Sequence, residues 1–144
     1  MRPEETIDFH LRSTWSKLSK AYNAAAAAHG GTIAMAYTLL NIDKEGTLST
    51  RLGPKMGMEP TGMSRLLKAL DDEGYIMRKP DKADKRKVWI HLTPKGKKYR
   101  DITKQYVIAL NKHMQTIIPP DDLATFFRVI DTINNELDRV KIAY

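Results

Sequence analysis

The sequence predicts a mainly α-helical fold with one small β-hairpin wing, a winged helix-turn-helix flanked by N- and C-terminal helices. Three observations carry that prediction. Two short amphipathic segments meet at a glycine-containing turn in "TLSTRLGPKMGMEPTGMSRLLKALDDEG", residues 47–74, as in a helix-turn-helix. Two runs rich in β-branched and aromatic residues, "YIMRK" and "VWIHL", follow at once around polar "PDKADKRK". Long one-sided helical stripes lie on either side. At 144 residues the chain is expected to form a single domain, 1–144. Within it, 32–98 would be the winged unit, with 4–28 and 93–141 supplying pairing helices.

The first helix is expected over 4–28. Ile7, Leu11, Trp15, Leu18 and Tyr22 recur at helical spacing on one face, and "NAAAAAHGG" adds strong helix formers before Gly30-Gly31 stops them. Thr32 suits the cap of a second helix bearing Ile33, Tyr37 and Leu40 and ending near "DKEG". Ser49 is expected to cap a third helix reaching Met56, short or distorted because Pro54 lacks an interior amide donor. Gly57 turns the chain, and Glu59 or Pro60 opens a fourth helix, since proline suits a first turn. Met63, Leu66, Leu67 and Leu70 would face the core, and Gly74 would end that helix. A two-stranded hairpin follows.

Thr93-Pro94 reads as a cap and first residue of a fifth helix with an apolar stripe of Val107, Leu110, Met114 and Ile117. Pro119-Pro120 ends it, and Asp121 or Asp122 starts the last helix. There Leu123, Phe126, Ile130, Ile133, Leu137 and Val140 alternate by threes and fours, a seam that wants another helix. Packing within the chain would satisfy the seam. Pairing of terminal helices between two chains would satisfy it together with the one-sided first helix.

Composition narrows the function. There is no cysteine, which excludes disulfides, thiolate zinc sites and thiol-based oxidant sensing. His10, His29, His91 and His113 have no metal-ligand spacing, so no metal and no cofactor are expected. Phosphate-loop and nucleophile-elbow motifs are missing, and an enzyme is not expected. No apolar run is long enough for a bilayer, and "MRPEETIDFH" has no leader-like apolar block, so a cytoplasmic protein without membrane contact is expected.

The net charge of +7 is concentrated. Residues 75–104 hold eleven Lys and Arg against three Asp, a balance of +8, leaving the rest of the chain at −1. That is the footprint of a polyanion-binding surface. A solvated basic face would carry the same charge.

The second helix of a helix-turn-helix enters the major groove of duplex DNA with its N-terminal residues leading. Here those are Thr61, Gly62, Ser64, Arg65 and Lys68, with Ser49, Thr50 and Arg51 of the preceding helix alongside. Arg65 suits the two-pronged guanine contact, worth about 1–3 kcal/mol of discrimination, and equally suits a phosphate contact. Gly62 costs a helix roughly 0.5–1 kcal/mol relative to alanine, and it either admits a close DNA backbone or is merely tolerated. In the wing, Arg86 fits a narrow minor groove, and Asp84, two residues earlier, is placed to hold its guanidinium in a fork. Lys82, Lys85 and Lys87 fit phosphate contacts.

"DKRKVWIHLTPKG" resembles the signature D-x-R-x-x-x-x-x-L-T-x-x-G of the MarR (multiple antibiotic resistance regulator) family, through Asp84, Arg86, Leu92, Thr93 and Gly96. The preceding "LGPKMGMEPTGMSRLLKALDDEGYIMR" is similar to that family's helix-turn-helix, with Ser64-Arg65 and the exit Gly74-Tyr75-Ile76. The likeness covers about 32–98; the flanking helices agree in number and placement alone. Gly62 and Pro54 depart from the pattern. The resemblance implies a homodimer on a pseudo-palindromic operator, regulating transcription, most often as a repressor released by a small-molecule effector. Such a ligand would sit between dimer helices and winged unit, where His10, Arg12, Trp15, Tyr22, Met35, Tyr37 and Leu39 are the candidate lining for an acidic, acyl or aromatic compound. Core packing explains Trp15 and Tyr22 as well. Two rival functions stay open on the sequence: a ligand-independent architectural DNA binder, and a winged-helix module for protein or RNA.

Overall fold

A computed structural model describes residues 1–140. The chain falls into two compact units, Met1–Tyr106 and a second beginning at Val107. In the first unit a 3-10 turn, Pro3–Glu5, leads to α1 (Ile7–Ala27) and α2 (Ile33–Asn41). Next come β1 (Thr47–Leu48), α3 (Ser49–Met56), α4 (Pro60–Asp72), β2 (Ile76–Pro80) and β3 (Val88–Leu92). α5 (Pro94–Ile117) begins in this unit, and α6 (Pro120–Leu137) lies in the second.

Local chemistry explains most boundaries. Thr6 and Thr32 cap α1 and α2, their hydroxyls accepting the Phe9 and Met35 amides at 3.4 and 3.2 Å. Pro60 stands at the first position of α4, where its missing amide has no intrahelical acceptor to lose. That helix ends in a Schellman motif: the Gly74 amide donates to the Asp71 carbonyl (2.9 Å) and the Tyr75 amide to the Leu70 carbonyl (2.9 Å). Gly74 has φ +74°, a conformation that a side chain disfavours. The Thr93 hydroxyl accepts the Gly96 amide at 3.0 Å and so caps α5, with Pro94 first in the helix.

Four expectations need correcting. Ser49 does not cap α3; it is the first helical residue, after Leu48, and no side chain caps that end. The reason is Leu48's extended backbone, which pairs with Trp89 in β3. Secondly, the expected hairpin, β2 with β3, is present but is joined by a short third strand, giving the order β1-β3-β2 with both pairs antiparallel. Thirdly, α6 starts at Pro120 rather than at an aspartate; Asp121 and Asp122 lie in its first turn. Lastly, Val140 lies beyond the end of α6 at Leu137, and Lys141, the expected limit of the last helix, is outside the described residues.

The core of the first unit lies under the helix-turn-helix. Leu39, Leu52, Leu70 and Ile90 are fully enclosed, joined by Ala36, Ile42, Met63, Leu67, Tyr75, Ile76, Leu92 and Tyr99. Leu66 is partly buried against them. Each fully enclosed leucine or isoleucine contributes roughly 1.5–3 kcal/mol. α4 is therefore held by one face, through Met63, Leu67 and Leu70, and its other face is left outward.

Candidate nucleic-acid interface

Residues of α4 that do not enter the core form its outer face. Thr61, Ser64, Arg65 and Lys68 are exposed, and Gly62 is half-buried. Arg65 forms no hydrogen bond or ion pair with the described residues, so its guanidinium is free for an outside acceptor. Lys68 is different: its ammonium sits 2.6 Å from Asp72, one helical turn along. A Cβ added at Gly62 would meet only the Met58 methyl carbon at 3.6 Å, an ordinary contact, so nothing among the described residues requires glycine there. Thr50 and Arg51 are exposed at the opening of α3, and Ser49 is half-buried. Ser49, Thr50 and Ser64 share one recess of about 640 Å³ with Pro60 and Arg78. The two helices therefore offer their opening residues to one face.

The wing tip follows the sequence-based expectation closely. Arg86 Nε and Nη2 donate to the two Asp84 oxygens at 3.0 and 3.1 Å, a fork. The Arg86 amide also donates to Asp84 Oδ1 at 3.1 Å. Arg86 is nevertheless 92% exposed at its side chain and Asp84 only 29%, so the pair orients the guanidinium without covering it. The side-chain bond from Arg86, then that from its amide, holds the Asp84 carboxyl below the usual aspartate range. The same bond pushes the Arg86 guanidinium upward. Lys82, Lys85 and Lys87 are exposed around the tip.

Sequence reasoning missed two contacts here. Asp81 accepts the Trp89 indole N–H at 2.7 Å, which first among several hydrogen bonds lowers its carboxyl from the ordinary value. Arg78 of β2 donates to Asp71 of α4 at 3.1 Å, tying the wing to the helix beside it. Arg78 and Asp71 are ordinary charged residues in the sequence; the placement of β2 beside α4 brings them together.

The signature residues divide by role. Leu92 is buried, the Thr93 hydroxyl donates to the Gly74 carbonyl at 2.6 Å, and its amide donates to the Tyr75 carbonyl at 3.1 Å. A Cβ at Gly96 would collide with the Tyr75 carbonyl oxygen. Leu92, Thr93 and Gly96 thus fasten α5 to the end of α4, whereas Asp84 and Arg86 point outward.

The candidate ligand lining fares differently. His10 is exposed, with Nε2 2.8 Å from the Glu4 carbonyl oxygen; Arg12 is exposed, and Trp15 and Tyr37 are 56% and 50% exposed. Tyr22 is half-buried, and Met35 packs against the core. Leu39 is 0% exposed, in the middle of the core, and so cannot line an opening. The family resemblance had offered it as lining without showing which face of α2 is covered. None of these seven residues lines the 640 Å³ recess. Among the described residues no group of three or more His, Asp or Glu is placed to hold a metal, and no helix is long and apolar enough to cross a membrane.

In α6, no described residue is buried. Phe126 and Phe127, ring centroids 5.6 Å apart, are each more than half exposed. In the first unit, Ile7, Leu11 and Trp15 of the α1 stripe are likewise exposed.

Residues 37–88 match the family model described as "MarR family". An HTH-type transcriptional regulator, TtmR of Methylorubrum extorquens (strain PA1), is 33% identical over 95 residues, 65% of this chain and 49% of that protein. The chain thus spans about half the length of that relative. Among solved structures, MepR of S. aureus in a DNA complex superposes with a TM-score of 0.84 at 15% identity, covering 91% of this chain and 98% of that one. CouR from Rhodococcus jostii RHA1, bound to p-coumaroyl-CoA, gives 0.78 at 24% identity, covering 99% of each. At these identities the structural likeness establishes the fold. Of these three, TtmR is described as a transcriptional regulator.

Proposed function

The chain carries a MarR-family winged helix, and from that premise we propose that it is a sequence-specific duplex-DNA-binding transcriptional regulator. It acts as a homodimer on a pseudo-palindromic operator, most simply as a repressor. The observation that carries this reading is the pairing of two unlike presentations: a free Arg65 on the outer face of α4 and a forked, exposed Arg86 at the wing tip. α4 supplies major-groove contacts through Thr61, Ser64 and Arg65, with Ser49, Thr50 and Arg51 on neighbouring phosphates. Arg86 enters the adjoining minor groove, where negative potential is strongest when the groove is narrow. Lys82, Lys85 and Lys87 add salt-sensitive phosphate attraction.

Dimerisation is supported by apolar side chains that the single chain leaves uncovered: Ile7, Leu11 and Trp15 on α1, and Phe126 and Phe127 on α6. Exposed apolar surface of this kind marks an interaction site. Release by a small acidic, acyl or aromatic effector is part of the proposal, with exposed Arg12, Trp15 and Tyr37 as contacts. MepR and CouR, solved with DNA and with p-coumaroyl-CoA, support both kinds of partner.

The test is a mobility shift with duplex from the protein's own promoter region, challenged by random duplex at two salt concentrations. A discrete complex that resists the competitor is expected, and Arg65→Ala should lower the preference for that duplex on the order of tenfold. Binding that disappears equally with any competitor would reduce the basic segment to general polyanion attraction. A resistant complex that no small acid releases would favour the architectural binder.

A further inference from the structure

The loop that carries Asp84 and Arg86 is tethered at a point that lies outside it. Its backbone closes through two bonds: the Asp81 amide to the Lys87 carbonyl and the Lys87 amide to the Asp84 carbonyl, both 2.9 Å. Inside that ring the Asp81 carboxylate is the hub. Oδ1 accepts the amides of Ala83 and Asp84, each at 2.9 Å, and Oδ2 accepts the Trp89 indole N–H at 2.7 Å. Trp89 belongs to β3, the middle strand, where it is paired with Lys79 on one side and Leu48 on the other. Trp89 is half-buried, and its indole N–H bond to Asp81 is partly shielded from solvent.

A continuous chain of hydrogen bonds results. The middle strand fixes Trp89, Trp89 fixes the Asp81 carboxylate, Asp81 fixes the Asp84 amide, and Asp84 fixes the Arg86 guanidinium. We propose that Trp89 is a positioning residue for DNA recognition, its indole N–H transmitting the rigidity of the sheet to the Asp84–Arg86 fork. The proposal rests on the DNA-binding reading above for its affinity readout and stands apart from it for its structural one. Phenylalanine would fill nearly the same space but has no donor; the donor is therefore the feature that matters. With Asp81 Oδ2 released to water, the carboxylate would rotate and the loop would sample more orientations. Each bound complex would then have to order it again.

Trp89→Phe and Asp81→Asn test this in the full chain. Both should melt close to wild type, because the change lies at the edge of the core. In the absence of DNA, the Ala83 and Asp84 amides should exchange roughly tenfold faster, since their bonds would open locally. The Arg86 Nε–H resonance should broaden. Affinity for the specific duplex should fall about three- to tenfold in either variant, the size expected when a contact must be ordered on binding. The loss should vanish in an Arg86→Ala background, because the brace acts through Arg86. Unchanged amide exchange in both variants would overturn the proposal, and so would an equal affinity loss with and without Arg86. Should wild type bind no duplex, the regulator reading falls on that result alone, while amide exchange still decides whether Trp89 holds the wing. Asp81→Asn keeps the test open if Trp89→Phe folds poorly.

Discussion

Asp84 and Arg86 stand at the tip of the wing, where Arg86 is 92% exposed and is held mainly by its neighbour's carboxylate. Gly96, in the same signature, stands at the opposite extreme, where the Tyr75 carbonyl leaves no room for one further carbon. The first site is ordered by side chains that remain available to a partner. The second is ordered by close backbone approach and offers nothing to a partner. A motif read as one string thus contains a presenting half and a fastening half, and mutations in the two halves should separate cleanly.

The largest effect belongs to the fastening half. Gly96→Ala would force α5 off the end of α4, costing about 3 kcal/mol, roughly 10 °C in a thermal melt. Protein that remains folded in the cold should still bind duplex. Arg86→Ala should do the reverse: a melt superimposable on wild type, with affinity for specific duplex down roughly thirtyfold in a titration. Were both variants to lose stability alike, the division between the halves would disappear.

Asp84→Ala should weaken binding less, about fivefold, because the guanidinium survives and only its orientation is lost. pH sharpens the same point. The folded-state pKa of Asp84 is depressed by Arg86, and that of Asp81 by Trp89. Their contribution is present above the ordinary aspartate range and is lost as pH falls through the lower folded value. Protection of the Ala83 and Asp84 amides should therefore persist through about pH 4 and fail only below it. Loss already near pH 5 would mean that these carboxylates do not hold the loop. The smallest effect is expected for Lys68→Ala. Its charge is already engaged by Asp72 on the surface, so stability should shift by no more than about 0.5 kcal/mol. The salt dependence of binding should stay close to wild type.

What the sequence made legible was local. The Asp84–Arg86 fork spans two residues, the caps at Thr32 and Thr93 act within one turn, and Gly74 follows directly on its helix, so spacing alone exposed them. Met63, Leu67 and Leu70 were legible as the inward face of α4 because their period is strict. β1 was not, since two residues have no periodicity and their partners lie in the wing, far along the chain. The same pairing set Leu48's backbone and so displaced the expected cap at Ser49. The Trp89–Asp81 and Arg78–Asp71 contacts depend on register and packing, which no spacing rule encodes. Leu39 was offered as ligand lining on the family resemblance, which does not say which face of α2 the core covers.

Chemical footprinting of the complex on duplex from the protein's own promoter region, with hydroxyl radical reading the minor-groove sugars and dimethyl sulfate the major-groove guanine N7, decides whether α4 and the wing grip adjoining grooves. Two related half-sites are expected, each with a core protected from dimethyl sulfate and an adjoining stretch protected from hydroxyl radical. Arg86→Ala should lose the minor-groove protection and Arg65→Ala should blur the core. Protection spread evenly along the duplex, or a footprint that neither substitution alters, would contradict that arrangement.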